Sequence, residues 1–224
     1  MTQAPMLTSE AALVFVAIAI VAALAASRRA WLAPAAIVLT APFAWYHAVG
    51  ATELTVSKAA FVGAVAGIVI RLWCDAEARR RAFATLRSNR ALIPLVALAA
   101  WAAISGAWAS SPPEAARDAL KWIWYAGAYA LTLVSIEEPA DGMRVLGAML
   151  VAAVAVGVDG IWQNAASPPA GFVAPNGDVV GRIVATLEGP NQFGAYLETV
   201  IPPLLAIIAF VRLNWLLAAS SGVL

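Results

Sequence analysis

Long apolar runs, broken by short polar clusters, dominate the chain. Seven of them approach the roughly 20 residues that a membrane-spanning helix needs. They cover about 8–26, 31–50, 56–74, 91–109, 119–136, 143–161 and 192–211. An eighth run starts at Leu213 and reaches only Leu224, too short to span. An end so abrupt is expected of a chain that continues. The pattern predicts an all-α fold, a polytopic helical membrane bundle of at least seven transmembrane helices. Residues 1–224 form one transmembrane domain in this reading, incomplete at the C-terminal end. No Lys or Arg precedes the run Ala11–Ala26. A secretory signal has a basic start, so this run is read as a retained first helix.

The polar clusters separate by sign and by content. The segment 75–90, DAEARRRAFATLRSNR, predicts a short basic helix on the cytoplasmic side. With the runs taken as alternating spans, ten Lys and Arg residues fall on one side of the membrane and four on the other. The richer side is cytoplasmic by the positive-inside rule. The segments 110–121 and 162–191 then lie outside, on the periplasmic side of a bacterial inner membrane. In the first, Ser111-Pro112-Pro113 is a good helix start. Glu114 and Asp118 lie four apart there, as do Arg117 and Lys121. The two cations share a helix face, either neutralised by the neighbouring carboxylates or facing an anionic headgroup. In the second, Pro175-Asn176-Gly177-Asp178 is a turn between two extended segments, Phe172-Val173-Ala174 before it and Val179 through Leu187 after it. A short extracytoplasmic β-hairpin is predicted there.

Composition supports the membrane class. The chain is 62% hydrophobic and only 12% charged, about half the usual charge of soluble domains. A net charge of +1 gives no argument for nucleic acid. One cysteine and one histidine, Cys74 and His47, leave no internal disulfide and no multi-histidine metal centre. His47 follows Trp45-Tyr46 at the outer end of the second predicted helix and is read as part of an interfacial aromatic cluster.

The candidate chemistry lies between Arg182 and Glu198. Gly189-Pro190-Asn191 predicts the start of a helix. A helix start offers free N–H groups and a positive dipole end to an anion. Arg182, shortly before it, is a planar cation suited to phosphate. Asn191 and Glu198 lie seven residues apart, on nearly the same helix face. Glu198 stands at membrane depth, where a carboxylate costs about 2.5–3.5 kcal/mol and marks an inward-facing functional position by default. Pro202-Pro203 removes the hydrogen bonds to the carbonyls of Glu198 and Thr199, predicting a kink beside that carboxylate. Pairing of Glu198 with a basic neighbour, to lock the bundle, is the alternative.

Arg182, Gly189-Pro190-Asn191 and the helix opening Gln192-Phe193-Gly194-Ala195-Tyr196-Leu197 resemble the O-antigen ligase and polymerase superfamily. Ile104–Ser110, followed by the charged helix start Glu114–Lys121, is a weaker likeness. The resemblance covers roughly residues 90–211. It implies a bacterial inner-membrane glycosyltransferase, without metal or other cofactor, that uses glycans carried on undecaprenyl pyrophosphate. The acceptor would be lipid A-core or another glycan. It further implies that Arg182 engages the donor pyrophosphate and that Asn191, Glu198, Arg117 and Lys121 contribute to substrate binding. The catalytic histidine of the family would lie beyond Leu224, and His47 does not match it. A polymerase of the same superfamily is one alternative and a membrane transporter of small anions another, since intramembrane carboxylates and broken helices also mark transport sites. A non-catalytic membrane module is a third.

Overall fold

A computed structural model describes residues 9–43, 46–49, 52–166, 172–173, 179–180, 185–187 and 190–220. Among them are eight helices and two small antiparallel hairpins. The chain divides into two compact units, Met1–Thr40 with Trp45–Val145, and Ala41–Ala44 with Leu146–Leu224.

In the first unit, α1 (Ser9–Arg28) and α3 (Val56–Cys74) pack closely along their length. Small residues make this possible. A Cβ built on Gly63 would overlap the Ala19 carbonyl oxygen, and one on Gly67 would overlap the Ala23 carbonyl oxygen. Gly63 and Gly67 form a GxxxG element, which lets two helix backbones approach. Phe15 packs with Val56 and Ala59 near the start of both helices. Near their end, Arg71 Nη1 donates to the Arg28 carbonyl at 3.4 Å. The paired positions rise together, so α1 and α3 are parallel.

The connection between them must therefore bring the chain back along the length of α3, about 28 Å at 1.5 Å per residue. Helix α2 (Leu32–Thr40) covers only about half of that. It packs on α3, and Ala30, Ala33 and Ile37 join Ala64 and Ile68 in one apolar cluster. This corrects the predicted span over 31–50. Pro42 carries no N–H for a bond to Val38 and biases Ala41 away from helical angles. Strand β1 (Tyr46–Val49) then pairs with β2 (Thr52–Thr55), Tyr46 opposite Thr55 and Val49 opposite Thr52. His47 belongs to this hairpin instead of a helix end. Thr55 Oγ1 accepts from the Lys58 N–H at 3.2 Å and caps α3.

Helix α4 (Ala76–Ser88) is the predicted basic helix, with Ala78 and Ala82 buried and Arg79, Arg80, Arg81 and Arg87 exposed. It meets α5 (Leu92–Ser105) at a bend of 78°. At that corner Asn89 Oδ1 accepts from the Ala91 N–H at 3.1 Å and from the Tyr129 hydroxyl at 3.2 Å. Tyr129 belongs to α6 (Pro112–Ser135), which packs along α5. The α6 start is where Ser111-Pro112-Pro113 predicted it, although the Ser111 side chain makes no capping bond. On the other side of α6, the Trp124 ring lies 4.5 Å from that of Phe61.

Helix α7 (Pro139–Ala166) begins in the first unit and continues in the second. The second hairpin, β3 (Phe172–Val173) with β4 (Val179–Val180), pairs Phe172 with Val180 and Val173 with Val179, as the turn signal predicted. The second extended segment does not reach Leu187, because Ala185–Leu187 turns. Helix α8 runs from Pro190 to Ser220. It passes through Pro202, Pro203 and Arg212, so the run after Leu213 is its continuation, not an eighth element.

Three helices are long and apolar enough to cross a membrane: Val56–Cys74, Pro139–Ala165 and Asn191–Ala209. The bent pair α4–α5 makes four if it counts as one span. A bundle of seven spans is not shown among the described residues. Helix α2 has nine residues and α5 has 14, which reach about 14 and 21 Å against a hydrocarbon layer of about 30 Å. Over its described side chains α1 counts as a shorter apolar helix, Ala12–Arg28, and α6 opens with Glu114, Arg117, Asp118 and Lys121.

Candidate functional site

The candidate site lies in the second unit, where the extracytoplasmic loop of the sequence reading turns into α8. Gln163, near the end of α7, closes both backbone groups of Ala185. Its Nε2 donates to the Ala185 carbonyl at 2.9 Å, and its Oε1 accepts from the Ala185 N–H at 3.0 Å. A primary amide is the side chain suited to this, with donor and acceptor on one carbon. Ala185 is buried and has φ of 50°, a left-handed conformation that costs a residue with a Cβ about 1–2 kcal/mol. The two bonds offset that strain. At the next residue, Thr186 Oγ1 donates to the Pro42 carbonyl at 2.7 Å. Two successive residues are thus held in place shortly before Pro190 opens α8.

Beyond that anchor, Asn191 is exposed in the first turn of α8. Glu198 is exposed as well and forms no ion pair among the described residues. Val200 is the fully buried position among the described side chains of this helix. It stands about 200° around the helix from Glu198 at 100° per residue, so the buried face and the carboxylate face are opposed. The shared face predicted for Asn191 and Glu198 is therefore the open one. Thr199 Oγ1 donates to the Ala195 carbonyl at 2.9 Å, a local bond that needs no partner helix. The Tyr196 hydroxyl is buried without a hydrogen-bond partner among the described residues.

Arg182 lies outside the described residues. Arg117 and Lys121 belong to the first unit and are exposed. Lys121 Nζ pairs with Asp118 Oδ1 at 2.9 Å, so part of this charge is neutralised within its own helix. Glu114 and Asp118 line a cavity of about 300 Å³ at the α5–α6 turn. The reading from sequence missed Gln163, Thr186 and Pro42. A polar residue closing an apolar run looks like an ordinary helix end, and its partner 22 residues on follows no periodicity.

In comparisons with protein-family models, curated proteins and solved structures, nothing matches the chain.

Proposed function

We propose that the protein is a membrane glycosyltransferase of the O-antigen ligase type, taking its glycan from a polyprenyl pyrophosphate donor such as undecaprenyl pyrophosphate. The observation that carries the reading is the anchoring of Ala185 and Thr186 immediately ahead of the Pro190-Asn191 helix start. It holds the chain four residues before a helix start, whose first N–H groups have no partner within a helix, and Arg182 precedes it in sequence. In the reaction, an acceptor hydroxyl attacks the anomeric carbon. The bond from that carbon to the pyrophosphate oxygen breaks, polyprenyl pyrophosphate leaves with the electron pair, and the proton of the acceptor hydroxyl is released to water. Arg182 and the first N–H groups of α8 would stabilise the charge on the leaving group, the kind of electrostatic effect that dominates many enzymes. Asn191 and Glu198, on one open face, would hold sugar hydroxyls. A ligase passes the glycan to lipid A-core; a polymerase of the same superfamily passes it to a growing glycan.

Arg182→Ala, expressed in a bacterial inner membrane that supplies the donor, is expected to lower glycan transfer at least about 100-fold, as loss of an oxyanion-stabilising group does. Wild-type transfer at normal expression would sink the proposal.

A transporter of small anions is favoured by one observation, the half-length helix α2 between two parallel helices. Interrupted helices of this kind line transport sites. Anion uptake by proteoliposomes, without any glycan transfer in cells, would decide for that reading.

A further inference from the structure

At the end of the first unit where α1 and α3 finish, four arginines and three carboxylates surround a cavity of about 190 Å³. The carboxylates are largely committed. Glu137 Oε1 accepts from Arg71 Nη2 at 2.8 Å. Asp141 is buried and occupied three times. Its Oδ1 accepts from Arg144 Nη1 at 2.6 Å, and its Oδ2 accepts from the Glu137 and Glu138 N–H groups at 3.3 Å each. The last two bonds resemble a capping box at the start of α7. Two pairs thus cancel. Arg28 and Arg29 remain against Glu138, and none of these three side chains forms an ion pair among the described residues.

Two residues that line the same cavity each also hold a buried donor with no acceptor among the described residues. Trp31 Nε1 and Arg71 Nε are both buried and make no hydrogen bond among the described residues. Buried N–H groups are paired in nearly all proteins, and an exception calls for an acceptor from outside. The Arg144 guanidinium lies 5.7 Å from the centre of the Trp31 ring, which holds the indole beside the charged groups. The cavity therefore offers surplus positive charge and unsatisfied donors. The group that fits carries a negative charge and several acceptor oxygens.

We propose that this cavity binds a phosphate group, with Trp31 Nε1 and Arg71 Nε as donors and Arg28 and Arg29 supplying the charge. Its position at the ends of helices α1 and α3, with a tryptophan in its wall, suits the phosphate of an anionic phospholipid headgroup. The proposal is independent of the glycosyltransferase reading, which concerns the second unit.

The test uses the whole chain purified in a neutral detergent, with native mass spectrometry to count bound lipid. The probes are short-chain phosphatidylglycerol, phosphatidylcholine and inorganic phosphate. Phosphatidylglycerol is expected to bind with one molecule retained and a preference over phosphatidylcholine of about tenfold, which is about 1.4 kcal/mol. The double variant Arg28→Gln/Arg29→Gln should abolish that preference. Trp31→Phe, which keeps the ring and removes the donor, should weaken binding several-fold. Arg87→Gln/Arg90→Gln removes two arginines outside the cavity and should leave binding unchanged. If inorganic phosphate competes with phosphatidylglycerol, the lipid is the occupant and its phosphate is what is read. If phosphate binds while the lipid does not, the site takes a soluble phosphate. Equal binding by wild type and by the Arg28/Arg29 variant, or equal losses in the Arg87/Arg90 control, would overturn the site.

Discussion

Gly63 lies so close to the carbonyl oxygen of Ala19 that no other residue fits between the two backbones. The nearest atoms are backbone, which cannot rotate away as a side chain could. Gly63→Ala should therefore force α1 and α3 apart and cost about 1–3 kcal/mol, the usual range for overpacking. Gly67→Ala should behave alike, since Ala23 and Ala26 meet it there. Gly147, with open space around it, should accept alanine without loss. Thermal unfolding of the three variants in detergent checks this, and an unchanged midpoint for Gly63→Ala would refute the close parallel packing.

Gln163→Ala removes both bonds to Ala185 and leaves a strained, buried backbone without its partners. A loss of about 1–3 kcal/mol is expected for the buried groups left unpaired. It should be felt locally, as release of the loop before α8, and limited proteolysis should cut near Ala185 faster than in the wild type. Gln163→Glu keeps one acceptor and loses one donor, so it should fall between the two.

Asp75 ends α3 with its N–H on the Arg71 carbonyl and starts α4 with its carboxylate. Hydrogen bonds from the Ala78 and Glu77 N–H groups hold its carboxyl below the ordinary 3.8. The ionised cap is therefore fully effective above that value, and its contribution disappears as the pH falls through the lower folded value. Amide exchange in the first turn of α4, corrected for intrinsic rate, should accelerate in that acid range. Asp75→Asn, which caps without titrating, should remove the acid dependence.

How much of this was legible in sequence differs between elements for identifiable reasons. Helix α3 was bounded correctly because Thr55 and Asp75 are strong local caps. The hairpin at Phe172–Val180 followed from its turn residues. Helix α2 was overextended because an apolar run is compatible with a helix and with a broken return, and hydropathy does not separate them. Pro42 was the local signal that could have done so. At the candidate site, the helix start at Pro190 was legible from its dipeptide. The clamp from Gln163 was not, since it joins residues 22 apart through backbone groups that every residue carries. The outward position of Glu198 depends on which neighbours bury Val200, a tertiary matter.

The parallel course of α1 and α3 also sets an order of events during synthesis. Arg28 and Arg71 meet across 43 residues of chain, so α1 is made while its glycine partner is not yet there. It must wait while α2 and the first hairpin emerge, its alanine face open to a foreign helix. Closing a loop of that length carries an entropic cost that an antiparallel hairpin of neighbours avoids. The small-residue seam from Ala19 to Ala26 is thus a late-forming lock, and the nascent chain is most open to mispairing before Gly67 is in place.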